Sequence, residues 1–175
     1  GEFHNLVDIL FVIDATGSMS WCMSQMKRTI KKIIGKFAQK QYNIKFAIEL
    51  YRDHPPQEYS FVEKHFDLRN EDEILKVVDK ECDVAGGGDT PEAVMDGLAQ
   101  GLMKTSWRVS SDGKTQSKRF LFHGCDAPPH GDEYGSRSSD AEWRKNGCPC
   151  KTTRHDIKTL LVAKQVDYTL IKCGR

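Results

Sequence analysis

The sequence predicts an α/β fold in which helices cover both faces of an open, mostly parallel β-sheet. Residues 7–13 are nearly continuous in apolar side chains, which is typical of a strand buried on both faces. Strand-like and helix-like segments then alternate in the order β-α-β-β-α-α-β-α-β, the pattern of an open sheet with crossover helices. The 175 residues are enough for one such domain with a two- or three-layer core.

The first helix and the second strand follow from the spacing of apolar residues. Helical spacing after the first strand is shown by Met23, Met26, Ile30, Ile33, Ile34 and Phe37. Basic residues lie largely off that stripe, so we interpret them as a solvated helix face. Residues 44–50 alternate between apolar and mostly polar side chains, which predicts a half-buried strand.

A more polar strand is predicted over residues 59–66, at an edge of the sheet and antiparallel to its neighbour. The turn-like sequence RDHPPQ before it suits a hairpin. Asn70, with Glu73 three residues later, predicts the start of a short helix. The stretch GGGDTPEA then predicts a glycine turn and another helix, with Thr90 as its N-cap and Pro91 as its first residue.

The last third of the chain contains a long stretch without periodicity. Residues 119–125 predict a strand, and residues 127–153 predict a long loop insertion, which in a compact domain is usually either functional or a disordered segment without a role. We expect this loop to select the binding partner. A helix over residues 156–164 and a strand over residues 166–173 complete the prediction.

Two aspartates follow predicted strands, and their positions indicate a ligand site. Asp14 follows the first strand and Asp126 follows the strand over residues 119–125. We expect these two strands to be central, adjacent and parallel, which would bring the two aspartates together at one edge of the sheet. Ligands of open α/β sheets bind there, beyond the carboxyl ends of the strands. Thr16, Ser18 and Ser20 add hydroxyl groups beside Asp14. Carboxylate and hydroxyl oxygens suit a hard divalent cation, although a hydrogen-bonded turn is the alternative interpretation.

Composition excludes some classes of function. Lys and Arg number 26 against 25 Asp and Glu, so the net charge of +1 does not indicate binding to nucleic acid or to an anionic membrane. No apolar run is long enough for a membrane span, and no secretory signal is present. The six cysteines are interpreted as reduced thiols and the location as cytoplasmic. An extracellular location stays open, because the opening residues Gly1 to Phe3 look like residues added for expression.

Three motifs together resemble the von Willebrand factor A domain family. DATGS, residues 14–18, resembles the Asp-x-Ser/Thr-x-Ser signature of the metal-ion-dependent adhesion site (MIDAS) in these domains. GGGDTPEA is similar to their second metal loop, and FHGCDAPPHG to their strand that ends in a third metal-loop aspartate. The resemblance implies a Rossmann-like sheet with strand order 3-2-1-4-5. It also implies a sixth strand, which this chain is expected to lack and whose absence is expected to leave an exposed edge.

The resemblance also implies a site and a mode of action. The implied ligands of a Mg²⁺ or Mn²⁺ ion are Asp14, Thr16, Ser18, Thr90 and Asp126. Glu92 is the alternative to Thr90, as in A domains of the integrin beta type. The implied function is binding of a protein partner that offers an Asp or Glu carboxylate to the ion, without catalysis by this domain. Asp53 and His130 are expected on the partner-binding surface.

YRDHPP and the late Gly-Cys-Pro segment narrow the resemblance to A domains attached to atypical alpha-kinases. This implies a targeting or regulatory domain within a larger protein.

Two other functions stay open at the level of sequence. DATGSMS also resembles the phospho-acceptor loop of haloacid-dehalogenase-type phosphoryl transferases, in which Asp14 would be the nucleophile, although Ala15 replaces the lysine of that motif. The other alternative is a zinc module, whose candidate ligands are His123, Cys125, His130, Cys148 and Cys150. Its single tight Cys-Pro-Cys pair departs from the two well-spaced pairs of structural zinc sites.

Overall fold

A computed structural model describes residues 6–40, 43–55, 59–85, 93–126 and 149–172. Within these ranges the strands are β1 (Leu6–Asp14), β2 (Asn43–Tyr51), β3 (Glu63–Arg69), β4 (Lys118–Cys125) and β5 (Val166–Lys172). The helices are α1 (Met23–Ala38), α2 (Glu71–Glu81), α3 (Val94–Lys104) and α4 (Arg154–Ala163). A short 3₁₀ helix, Gly17–Trp21, leads into α1. The predicted order of elements is confirmed.

The strands form one sheet in the order β3-β2-β1-β4-β5, as the resemblance implied. β1 pairs in parallel with both β2 and β4, and β4 pairs in parallel with β5. β3 is the antiparallel edge strand. The register places Ile13 of β1 opposite Gly124 of β4, so both strands end at the same edge of the sheet. This register places Asp14 and Asp126 at the same edge of the sheet, as predicted.

Both faces of β1 are covered, which explains its continuous apolar sequence. Ile9, Phe11 and Ile13 are fully buried in a core cluster that includes α1 and α2. Leu10 and Val12 point to the other cluster, which α3 and α4 cover. Burying a side chain of this size stabilises the fold by about 1.5–3 kcal/mol. None of the helices in the described ranges is both long and apolar enough to cross a bilayer.

The edge strand β3 differs from its prediction. It covers Glu63–Arg69, so the predicted residues 59–62 lie before it and the last residues of the strand were missed. The pairing with β2 sets this register, because Tyr51 at the end of β2 lies opposite Glu63. Tyr59 is 78% exposed, whereas Phe61 packs under the guanidinium of Arg52 with 4.2 Å between the guanidinium carbon and the ring centroid.

The helix starts show which capping signals were correct. The Asn70 side chain accepts a hydrogen bond from the backbone N–H of Glu73 at 2.9 Å, which confirms the predicted N-cap of α2. In contrast, α3 begins at Val94 and its N-cap position is Ala93, so the prediction that Thr90 caps this helix is wrong. α4 begins at Arg154, before the predicted residue 156, because Thr153 and Asp156 form a capping box.

Candidate metal centre

Asp14 ends β1 and is completely buried. Its Oδ1 accepts hydrogen bonds from the backbone N–H of Thr16, at 2.9 Å, and from the Thr16 hydroxyl. Its Oδ2 is buried and has no hydrogen-bond partner among the described residues. Leaving a buried oxygen unpaired costs about 1–3 kcal/mol, so this atom indicates that the described protein groups do not complete the site.

The electrostatics of Asp14 lead to the same conclusion. Burial raises the pKa of Asp14 from 3.8 to about 7. The hydrogen bonds from Thr16 oppose this increase, whereas the negative charge of Asp126 adds to it. The ionised carboxylate is therefore disfavoured at this position, and a cation beside it would reverse that preference.

Ser18 and Asp126 connect the ends of β1 and β4. The Ser18 Oγ lies 3.0 Å from the Thr16 Oγ1 and donates to Asp126 Oδ1 at 3.1 Å. The indole N–H of Trp21 donates to Asp126 Oδ2 at 3.4 Å. Two carboxylates and two hydroxyls, three from one short motif and one from the end of β4, thus form one continuous cluster: Asp14, Thr16, Ser18 and Asp126.

Backbone contacts fix the loop that carries the hydroxyls. The N–H of Ala15 donates to the carbonyl of Tyr51 at 2.9 Å, and the carbonyl of Ala15 accepts from the N–H of Ala85 at 3.1 Å. Arg52 reaches the same carbonyl through its Nε at 3.1 Å and also donates to Ser60 Oγ and to the Asp83 carbonyl. The sequence interpretation did not assign Arg52 this role.

Gly124 is another residue whose contribution the sequence did not reveal. A Cβ atom at this position would lie 2.7 Å from both Cε and Sδ of Met26. Glycine therefore leaves room for the end of the Met26 side chain of α1 beside β4, two residues before Asp126. The signal in the sequence was a glycine inside a strand pattern, which often marks such a close approach.

The remaining predicted residues have different outcomes. Asp53 is buried, and its Oδ1 accepts from the backbone N–H of His54 at 2.7 Å, so this contact holds its own turn. Thr90, Glu92 and His130 lie outside the described residues, and so does most of the predicted loop, residues 127–148.

His123, a candidate ligand in the alternative zinc module, is engaged elsewhere. Its Nε2 lies 2.9 Å from the Tyr51 hydroxyl, and its Nδ1 lies 2.7 Å from the Tyr168 hydroxyl. Burial lowers the pKa of His123 to about 4, which keeps the ring neutral near neutral pH. Because both ring nitrogens already have partners, the described geometry does not favour His123 as a zinc ligand.

The cluster fits a hard divalent cation. Carboxylate and hydroxyl oxygens are ligands suited to Mg²⁺ and Mn²⁺, and Mg²⁺ commonly completes its octahedral shell with water. The unpaired Oδ2 of Asp14 is the atom that a cation would satisfy. Thr16, Ser18 and Asp126 supply further oxygens within one hydrogen-bonded cluster.

Comparisons with known proteins agree with this geometry. Residues 8–134 match the sequence model of the von Willebrand factor A domain family. Over 165 residues, or 93% of the chain, the sequence is 31% identical to alpha-protein kinase vwkA of Dictyostelium discoideum. The chain spans only 24% of that relative's length.

Solved structures share the fold at low sequence identity. The mussel byssus proximal thread matrix protein 1 with a zinc-occupied MIDAS motif has a TM-score of 0.60 and 16% identity, over 98% of this chain and 37% of that one. The open form of the pilus adhesin SpaC from Lactobacillus rhamnosus GG has a TM-score of 0.50 and 16% identity. That match covers 73% of this chain and 15% of the adhesin.

Proposed function

The chain belongs to the von Willebrand factor A domain family, and from this premise we propose that it is a metal-dependent protein-binding module. Asp14, Thr16, Ser18 and Asp126 would hold a Mg²⁺ or Mn²⁺ ion, and the ion would accept an Asp or Glu side chain of a partner. The observation that carries the proposal is the buried, unpaired Oδ2 of Asp14 beside a converged set of hydroxyl and carboxylate oxygens.

The donor set favours binding over catalysis. Neutral hydroxyl ligands leave much of the ion's positive charge uncompensated, so a carboxylate from outside can complete its coordination. A phospho-acceptor aspartate must instead be reached by its substrate, whereas Asp14 has no exposed surface and its Oδ1 is held by Thr16. These observations support a non-catalytic domain over a phosphoryl transferase.

Of the two candidate ligands in the second metal loop, we propose that Thr90 rather than Glu92 binds the ion. A hydroxyl engaged in N-capping would be less available to a metal ion, and the N-cap position of α3 is held by Ala93. A Glu92 ligand would add negative charge and weaken the attraction of the ion for a partner carboxylate. Asp53 and His130 remain proposed contributors to the partner-binding surface.

The relative suggests the setting of the module. Alpha-protein kinase vwkA matches this chain along 93% of its length, and the match takes up about a quarter of the kinase. We therefore propose that the domain serves as a targeting or regulatory part of a larger protein such as an alpha-kinase, in the cytoplasm. Binding assays with the domain joined to its neighbouring segments would test this setting.

Metal binding is tested by calorimetric titration of Mg²⁺ and Mn²⁺ into the chain. We expect binding to one site in the wild type and none in Asp14→Ala, because a central ligand is lost. Asp112→Ala is the matched control. It removes a carboxylate from the turn before β4, whereas Asp126 of the proposed site follows the opposite end of that strand. Unchanged Mg²⁺ binding in Asp14→Ala would overturn the site.

The second step, capture of a carboxylate, needs a separate measurement. N-acetylglutamate amide is titrated against the Mg²⁺-loaded protein, with the glutamine analogue as control, and Trp21 fluorescence is followed because its indole contacts Asp126. We expect a response to the glutamate probe alone, weakened more by Thr90→Ala than by Glu92→Gln. Equal responses to both probes would contradict the proposed recognition, and loss of metal binding in Glu92→Gln alone would reverse the choice of ligand.

A further inference from the structure

Three side chains from separate parts of the chain form a second cluster of metal-ligand types. His54 lies in the turn after β2, Asp96 in the first turn of α3, and Cys150 shortly before α4. One ligand atom from each lies within 4.8 Å of the other two. We infer that these residues form a binding site for Zn²⁺, separate from the adhesion-type site.

The distances are close to those of a zinc site. The His54 Nε2 lies 3.7 Å from the Asp96 Oδ2, which is too long for a hydrogen bond. Ligand atoms around a tetrahedral Zn²⁺ lie about 3.3–3.6 Å apart, given metal–ligand distances of about 2.0–2.3 Å. Side-chain rotations that move these atoms by roughly 1 Å or less would therefore bring all of them into the coordination sphere.

The ligand types favour a different metal from that of the Asp14 cluster. Imidazole nitrogen and thiolate sulfur suit a borderline cation such as Zn²⁺, whereas the Asp14 cluster offers only oxygen. Cys150 is a thiol and partly exposed, and the side chains of His54 and Asp96 are 10% and 16% exposed. The three side chains are thus mostly buried, and the partly exposed Cys150 keeps the cluster reachable; water would supply the fourth ligand of a tetrahedral ion.

Charge balance gives the cluster a reason to bind a cation. Burial raises the pKa of Asp96, and the nearby Cys150 raises it further, whereas His54 opposes this. A carboxylate beside a thiolate is unfavourable in such surroundings unless a positive charge lies between them. The proposal itself stands on the convergence of the three ligand atoms.

Such an ion would crosslink the domain. It would tie the turn after β2 to the start of α3 and to the segment that leads into α4. Because Ala93 at the N-cap of α3 also donates to the Arg52 carbonyl at 3.1 Å, the start of this helix is already anchored to the same turn. A zinc ion would strengthen this anchor. Cys150 lies outside residues 8–134, so one of the three ligands is beyond the part of the chain that matches the family model, whereas His54 and Asp96 lie within it.

Cobalt spectroscopy tests the site, because Co²⁺ replaces Zn²⁺ and gives a charge-transfer band only with a thiolate ligand. The reduced chain is titrated with Co²⁺ in excess Mg²⁺, which keeps the oxygen-only site filled. We expect a thiolate-to-cobalt band that saturates at a single ion per chain and disappears when Zn²⁺ is added. Cys150→Ser should remove the band, whereas Cys125→Ser, the matched loss of a partly exposed thiol, should retain it.

The other ligands are tested by affinity. His54→Gln and Asp96→Asn should weaken Co²⁺ binding by roughly tenfold to a hundredfold or more. Asp14→Ala should leave the band unchanged, which separates this site from the proposed adhesion site. Circular dichroism checks that each variant folds, and Zn²⁺ should raise the melting temperature of the wild type but not of Cys150→Ser. No band in the wild type, a band that survives Cys150→Ser, or affinity unaffected by His54→Gln and Asp96→Asn would overturn the proposal.

Discussion

Asp8 and Asp14 lie on the same strand, are both completely buried, and have very different surroundings. The Asp8 carboxylate accepts hydrogen bonds from the backbone N–H and the Nε of Arg108, at 2.8 and 2.6 Å, and from the Ser117 hydroxyl at 2.7 Å. Among the described residues, Asp14 accepts hydrogen bonds only from Thr16, and its Oδ2 has no partner. One end of β1 thus has a complete set of protein donors and the other does not.

This difference separates a structural carboxylate from a candidate functional one. The Arg108 guanidinium compensates the charge of Asp8 and also donates to the backbone carbonyls of Val7 and Asn43. Asp8 therefore joins β1 to the neighbouring segments without any added ligand. At Asp14 the missing donors and the missing positive charge are what a divalent cation would supply.

The largest expected effect is a pH dependence that arises from Asp14. Burial raises the pKa of Asp14 from its ordinary value of 3.8 to about 7 in the folded protein, so between these pH values the folded state retains a proton that the unfolded state has lost. The free energy of unfolding of the metal-free protein should therefore fall as pH rises through this window, by on the order of 4 kcal/mol in total. Urea unfolding with a chelator measures this, and Asp14→Asn should remove that part of the slope. Identical pH profiles for both proteins would contradict the unpaired state of Asp14.

Substitution of the two aspartates should have opposite effects on the metal-free protein above pH 7. Asp8→Asn should lower the free energy of unfolding by about 3 kcal/mol, because it leaves the largely buried Arg108 without its anion. Asp14→Asn should stabilise the protein, because it removes a buried carboxylate that lacks compensation. Urea unfolding of both variants makes the comparison, and similar losses in both would show that Asp14 is also a structural carboxylate.

Metal ions should act at only one end of β1. Mg²⁺ at about a hundred times its Kd should stabilise the wild type by about 2.7 kcal/mol, because it binds the folded state alone. The same addition should not stabilise Asp14→Ala. Arg108→Lys serves as the control from the other end of β1 and should keep the full increase. Thermal unfolding with and without Mg²⁺ is the measurement, and an increase in Asp14→Ala would place the ion elsewhere.

The smallest effects come from one serine at each end. Ser117→Ala removes a buried hydrogen bond to Asp8 and should cost about 1 kcal/mol of stability without changing Mg²⁺ affinity. Ser18→Ala should leave the stability of the metal-free protein nearly unchanged and weaken Mg²⁺ binding. Chemical unfolding measures the stability of each variant, and calorimetry measures its Mg²⁺ affinity. Weaker Mg²⁺ binding in Ser117→Ala together with lower stability in Ser18→Ala would invalidate the comparison.

Features that depend on local sequence were predicted well. The apolar run of β1, the helical spacing of α1 and the Asn70 cap of α2 were all read correctly, because neighbours in sequence determine strand and helix periodicity and capping. The pairing of β1 with β4 was also predicted, since continuous apolar strands belong at the centre of a parallel sheet. This placed Asp14 and Asp126 at one edge of the sheet.

Features that depend on contacts between distant residues were decided by the tertiary structure alone. Arg52 reaches the Ala15 carbonyl across 37 positions of sequence. Gly124 leaves room for the end of the Met26 side chain, and the start of β3 is set by its pairing with β2. No local pattern encodes such contacts, because they depend on how packed elements approach one another.

The two candidate sites also differ in whether local sequence or contacts between distant residues revealed them. The sequence by itself was enough to predict which oxygens form the Asp14 cluster, because most of them lie in one short motif and the last follows a recognisable strand. The sequence grouped Cys150 with His123 and His130 in the alternative zinc module, because the spacing of cysteines and histidines along the chain does not show which turn each one faces. Only the folded sheet, which brings the turn after β2 against the start of α3, put Cys150 beside His54 and Asp96.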